Sequence, residues 1–239
     1  VRAGSDTILA HTGVVMRDHS LADVPGVPES ALPVALAAQL PEATPAPPWD
    51  CRVEAVVWWH RAAPAARDLV PAPLQPGLPI TIGAFVTYLD TPVGPYSEIL
   101  ASPLLLSRPL ARRVLARVHV PFIAVDSLAS VQGGRAHWAL PKAMATFDGT
   151  RAVGDGWEVS ALATARGPWL PAVGRLGSSQ VSATGLVTSS VTTSRARARL
   201  ASVRVTTSST GGLATWLLPG DHRGVVLRGR MIVGAASPG

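Results

Sequence analysis

Apolar residues along this chain recur mostly in short runs close to period two, not in long helical stripes. Residues 53–59 are rich in valine and tryptophan, and residues 80–88 alternate as a half-buried strand does. Residues 98–106 and 117–125 are further apolar runs. After them, 144–148, 156–166, 181–192, 198–207 and 224–233 form a series of strand signals punctuated by Gly, Pro and Asp. Helical signals are brief: residues 29–39, residues 62–69 stopped by Pro71 and Pro73, and a turn over 127–132 leading into Gly133 and Gly134. Short strands in series with few short helices predict an α+β protein whose mostly antiparallel sheet is closed into a barrel or cone. No internal repeat is visible.

Composition sharpens the organisation. Residues 1–48 read as an N-terminal extension, because the prolines of 41–48 rule out a continuous helix and favour an extended linker. Residues 49–239 then form a single domain, and 47% hydrophobic content with 15% charge is ample for its core. A net charge of +6 would ordinarily raise nucleic acid as a partner. The arginines are spread without a basic block, however, and Arg195, Arg197 and Arg199 alternate as residues on one solvated strand face do, so no nucleic-acid partner is expected. The single cysteine, Cys51, excludes an intrachain disulfide and suits a reducing compartment. The apolar stretch 31–40 is about half the length that spans a bilayer, and the first ten residues lack a secretory pattern. A cytoplasmic protein with no membrane partner is therefore expected. The histidines show no metal-ligand spacing, so no metal is expected either.

Candidate chemistry centres on Lys142, the one lysine beside 20 arginines, set in the apolar frame Trp138, Ala139, Leu140, Pro141, Ala143 and Met144. Arginine keeps its proton near neutral pH. A desolvated lysine can lose its proton and attack a carbonyl to form an imine, so this frame predicts a strongly lowered lysine pKa. The segment from Gly133 through Arg135 to Leu140-Pro141-Lys142 resembles the active-lysine segment of the acetoacetate decarboxylase family. Pro95-Tyr96-Ser97-Glu98 resembles the Tyr-x-Glu strand of that family. Leu69-Val70-Pro71-Ala72-Pro73-Leu74 resembles its Val-Pro-x-Pro-Leu segment, which in gap-free register places Arg52 on the substrate-carboxylate arginine.

The resemblance covers residues 48–148 best. It implies a Schiff-base lyase without a cofactor, acting on a small keto acid by decarboxylation or by aldol or dehydration chemistry, and it implies a homo-oligomer. In that reading Lys142 and Glu98 are catalytic, while Arg52, Tyr96 and Trp138 bind substrate. Glu98 would exchange protons with the enamine carbon, and Arg52 would clamp a carboxylate. The chain departs from the family pattern in three places. Ala143 replaces the second lysine of well-known members, Ala136 follows the motif arginine, and Gly83, Ala84 and Phe85 stand where a second acid is expected. Space freed at Ala84 would admit a larger substrate. The alternative is a non-catalytic barrel that binds a small carboxylated or apolar ligand, and a third reading uses the Pro-rich extension as a docking segment.

Overall fold

The computed structural model describes residues 21–106 and 116–238. Its strands are β1 (Trp49–Arg61), β2 (Ile80–Asp90), β3 (Tyr96–Ser102), β4 (Arg117–Val118), β5 (Phe122–Val125), β6 (Lys142–Met144), β7 (Thr146–Asp148), β8 (Arg151–Gly154), β9 (Trp157–Val181), β10 (Val187–Ser209), β11 (Gly220–Val233) and β12 (Ser237–Pro238). The α-helices are α1 (Val34–Ala37) and α2 (Leu128–Trp138).

All the strands belong to one sheet, ordered β6-β5-β3-β2-β1-β11-β10-β9-β8-β7, with β12 on β10 and β4 on β9. Pairing is antiparallel except for β5–β6, which are joined through α2, and β4–β9. The mostly antiparallel α+β expectation holds, but the closed barrel does not. The sheet is open, with β6 and β7 at its two ends. These strands are separated by Ala145 alone, and the Ala145 amide still bonds to Val125 of β5. Consecutive segments of one extended run lie end to end, and so cannot form the side-by-side ladder that closure needs.

Local boundaries differ from the sequence pattern for identifiable reasons. β9 runs on through Pro168 and Pro171, which the pattern reads as a strand end. Over that stretch β9 has β10 on one side only, since β8 reaches it at Trp157–Ser160 and β4 at Gly177–Ser178. A proline there costs no ladder bond on the open edge. Pro33 splits the expected helix over 29–39 into a 3-10 turn, Pro28–Ser30, and the single turn of α1. The expected helix over 62–69 shrinks to the 3-10 turn Pro64–Arg67.

Residues 21–48 pack onto the domain. The Val27 amide bonds to the Pro121 carbonyl, and the Ser30 hydroxyl accepts from the Ile123 amide. Buried Glu29 accepts from the Ser209 hydroxyl and from the Leu213 amide. The central strands carry apolar side chains on both faces. Trp58, Phe85, Ile99 and Phe122 join one cluster, while Trp49, Cys51, Val53, Tyr88 and Tyr96 join another that packs against α2. The second cluster surrounds the candidate site.

Candidate active site

Local structure explains why Lys142 comes to lie at this point. Ser127 caps α2, its hydroxyl accepting from the Ser130 amide at 3.3 Å. The helix continues through Gly133 and Gly134 because close neighbours leave no room for a side chain. A Cβ on Gly133 would come within 2.5 Å of the Trp49 ring, and one on Gly134 within 2.5 Å of Lys142 Cδ. Ala139, at φ 51°, ends the helix in the left-handed region, and the chain turns into β6 with Lys142 as its first residue. The buried Arg135 guanidinium donates to the Lys142 carbonyl at 2.7 Å, to the Leu21 carbonyl at 2.7 Å and to the Ser30 carbonyl at 2.9 Å. The motif arginine is thus a clamp that fixes the backbone of the lysine, with burial lowering its pKa to about 10.

Lys142 and Glu98 are buried together, at 3% and 2% exposure. Lys142 Nζ lies 2.7 Å from Glu98 Oε2, donates to Ser130 Oγ at 2.9 Å and sits 5.1 Å from the Tyr96 ring centre. The other Glu98 oxygen accepts from the Tyr88 hydroxyl at 3.1 Å, and the Tyr88 and Tyr96 rings stack at 4.2 Å. Burial alone would lower the pKa of Lys142 and is the largest influence on it. The Glu98 carboxylate, with Tyr96, outweighs burial, so the net direction is upward. That corrects the expected lowering. The apolar frame was legible, but the carboxylate bonded to the amine was not. The resting amine is thus held in its ammonium form. Burial, aided by the Glu98 charge, pushes Tyr88 well above its ordinary value. Burial likewise raises the Tyr96 phenol to about 12 and the Cys51 thiol to about 12.

The pair opens on a cavity of about 170 Å³, lined by Trp49, Cys51, Val86, Tyr96, Trp138 and Leu140 near the lysine and by β9, β10 and β11 beyond. Trp138 is held by its indole, which donates to the Gly234 carbonyl at 2.8 Å, and by an edge contact with Trp49 at 4.9 Å. Among the described residues, no group of acidic, His or Cys side chains could hold a metal ion. No helix there is long and apolar enough to cross a membrane.

The family model for acetoacetate decarboxylase matches residues 31–210. The chain belongs to the acetoacetate decarboxylase family. An acetoacetate decarboxylase structure matches it at TM-score 0.56 and 15% identity, over 82% of this chain and 90% of that one. The acetoacetate decarboxylase of Legionella pneumophila matches at 0.54 and 12%, over 83% and 90%. The enduracididine biosynthesis enzyme MppR, complexed with pyruvate, matches at 0.52 and 17%, over 81% and 91%. No curated protein matches the chain in sequence.

Within this family member the structure gathers four of the five sequence-derived site residues, Lys142, Glu98, Tyr96 and Trp138, around one cavity. It does not bring Arg52 there. On β1 the alternating residues Trp49, Cys51 and Val53 are buried, so Arg52 is exposed on the opposite face, level with Asp90 of β2 and Arg230 of β11. Strand parity decides its side, and motif register did not register parity. Ala84 is buried but does not line the cavity, so the space expected there is not available to a ligand. Val86 of β2 stands opposite Glu98, and among the described residues no second carboxylate lines the cavity. His137 bonds to Thr44 Oγ1 at 3.1 Å and lies outside the lining. Sequence reading missed Tyr88 and Ser130. Tyr88 shares its strand face with Val86, and Ser130 lies four residues before Gly134 on the helix face that covers Lys142, so both spacings were available as signals.

Proposed function

We propose that this protein is an imine-forming lyase for a small keto acid, with Lys142 as nucleophile and Glu98 as proton carrier. The supporting observation is the buried 2.7 Å contact between the lysine amine and a carboxylate beside an apolar cavity. Proton transfer from Nζ to Glu98 leaves a free amine and a neutral acid, a pairing favoured when substrate displaces water from the cavity. The amine adds to the substrate carbonyl, and loss of water gives a protonated imine. Its nitrogen accepts the electron pair released when the bond from the α-carbon to the carboxylate breaks, so a 3-keto acid gives carbon dioxide and an enamine. Because the departing water takes the proton first passed to Glu98, the carboxylate picks up a new proton from solvent and gives it to the enamine carbon, and water then frees the lysine. An apolar wall favours this step, because the carboxylate loses its charge as it leaves. The same enamine, given an aldehyde, would instead form a C–C bond. The cavity is close to benzene-sized, which limits substrates to small acids.

Borohydride reduction in the presence of a keto-acid panel, pyruvate and acetoacetate included, tests the reading. A mass adduct on Lys142 is expected. An adduct at the chain's amino terminus alone, or none with any acid, would show a cavity that binds without reacting. Carbon dioxide release from acetoacetate, absent in Glu98→Gln, would identify decarboxylation. Adduct formation without gas release, with consumption of an added aldehyde, would identify condensation.

A further inference from the structure

The cavity wall opposite the lysine is not apolar throughout. Successive lining residues are neighbours in the sheet: Glu98 opposite Val86, Cys51 opposite Met231, Val233 opposite Thr192, and Ser190 opposite Ser178, which pairs in turn with Val118 of β4. From β3, which carries Glu98, β10 is the fourth strand along through β2, β1 and β11. On the far side of β10, β9 pairs with β4, whose Val118 lines the cavity together with Ile123 of β5, the residue level with Lys142. Ser190 and Thr192 on β10 thus line the same cavity as the reactive pair, on a strand four removed from the one that carries Glu98.

Ser178 and Ser190 Oγ atoms are 2.8 Å apart, and Ser190 is buried. In such a pair one hydroxyl donates to the other, which leaves a free O–H and free lone pairs. Thr192 carries no side-chain hydrogen bond among the described residues. The fold does not require oxygen here, since Val118, Met231 and Val233 line the same wall. Among the described residues the lining holds one carboxylate, one ammonium and no arginine.

We infer that Ser178, Ser190 and Thr192 form a subsite for a neutral oxygen group, so that the preferred substrate carries a hydroxyl, carbonyl or carboxamide on the arm remote from the imine. The inference rests on the imine-forming reading for the identity of the reacting end. Neutral chemistry is favoured because hydroxyls supply donors and acceptors but no charge. A second anion would enter a site that already holds Glu98, with no further cation in the described lining to meet it.

The test compares 4-hydroxybutan-2-one with pentan-2-one, which has a methyl in place of the hydroxyl, and with 4-oxopentanoate as the anionic arm. Adduct yield on Lys142 after borohydride is read against concentration. Binding to Lys142→Gln is read from the fluorescence of Trp49 and Trp138. The hydroxyketone should half-saturate at about three- to tenfold lower concentration than pentan-2-one. The Ser190→Ala/Thr192→Val double variant should erase that preference while leaving pentan-2-one unchanged, and Thr192→Val alone should reduce it. Equal affinities, or a preference that survives in both variants, would overturn the subsite, as would tightest binding of 4-oxopentanoate. If no ketone is trapped but Lys142→Gln still prefers the hydroxyketone through Ser190 and Thr192, the imine reading falls and the subsite stands. If all ketones are trapped alike, the reverse holds.

Discussion

At the scale of single residues, the chemistry turns on two opposed influences on one amine. Burial favours the neutral form of Lys142, and Glu98 at 2.7 Å favours the charged one and prevails. Glu98→Gln removes the Glu98 charge and leaves burial opposed by Tyr96 alone, so the Lys142 pKa should fall from its raised value. Adduct formation in that variant should extend to lower pH. Turnover should drop about a hundredfold or more, because the proton carrier is lost. An unchanged pH dependence of trapping would mean that Glu98 does not control the amine. Lys142→Arg should keep the ion pair and the fold yet give no adduct, as intact mass and thermal unfolding would show. Lys142 and Glu98 were legible in sequence because their types are unusual in their surroundings. Arg52 misled because a motif fixes order along the chain but not the side of a strand. Tyr88 and Ser130 act only through neighbours brought close by folding.

Among the elements, α2 positions the reactive amine. Its glycines allow the helix to lie against Trp49 and the lysine stem, and Arg135 ties the helix to β6. Gly134→Ala places a methyl where Lys142 Cδ stands, and should cost roughly 1–3 kcal/mol as overpacking. Trapping should be impaired more than stability, since the displaced atoms are those of the nucleophile. Chemical denaturation measured alongside adduct yield checks this, and a fully active variant would show that the stem yields freely. The sequence revealed the start of this helix but not its length, because paired glycines ordinarily signal a break. Here close packing compensates for their poor helix propensity. In the same way Pro168 and Pro171 looked like strand ends, and they are tolerated only because one edge of β9 is open there.

For the whole molecule, the buried acids of the site make stability sensitive to alkali. Cys51 keeps its proton up to about 12 when folded but loses it near 9.0 when unfolded, and Tyr96 keeps its own to about 12 against 10.0. The folded state thus holds more protons between the unfolded and folded values, so stability falls as pH rises through that window. The Lys142 ion pair acts in the same direction. Its pKa is raised, so its contribution is complete below about 10.5 and lost as pH climbs through the folded value. The melting temperature should decline from pH 9 to 11, and Cys51→Ala should blunt the first part of that decline. A flat profile would mean that these groups reach solvent. Strand content and mostly antiparallel pairing were legible from period-two patterning. Sheet closure was not, because it depends on how β6 and β7 meet, which the pattern of a single strand does not encode.

One pairing sets a constraint in time. β1 lies between β2 and β11, with Trp49 opposite Val233, so the strand carrying Cys51 gains its second neighbour only near the end of the described chain. During synthesis Lys142, Glu98 and α2 leave the ribosome well before Met231 and Val233, which supply part of the same wall. The reactive amine is therefore made early and enclosed late. In between, β1 presents an unpaired apolar edge to other nascent chains. Slow closure of so distant a pairing is the cost of a cavity whose wall spans nearly the whole domain.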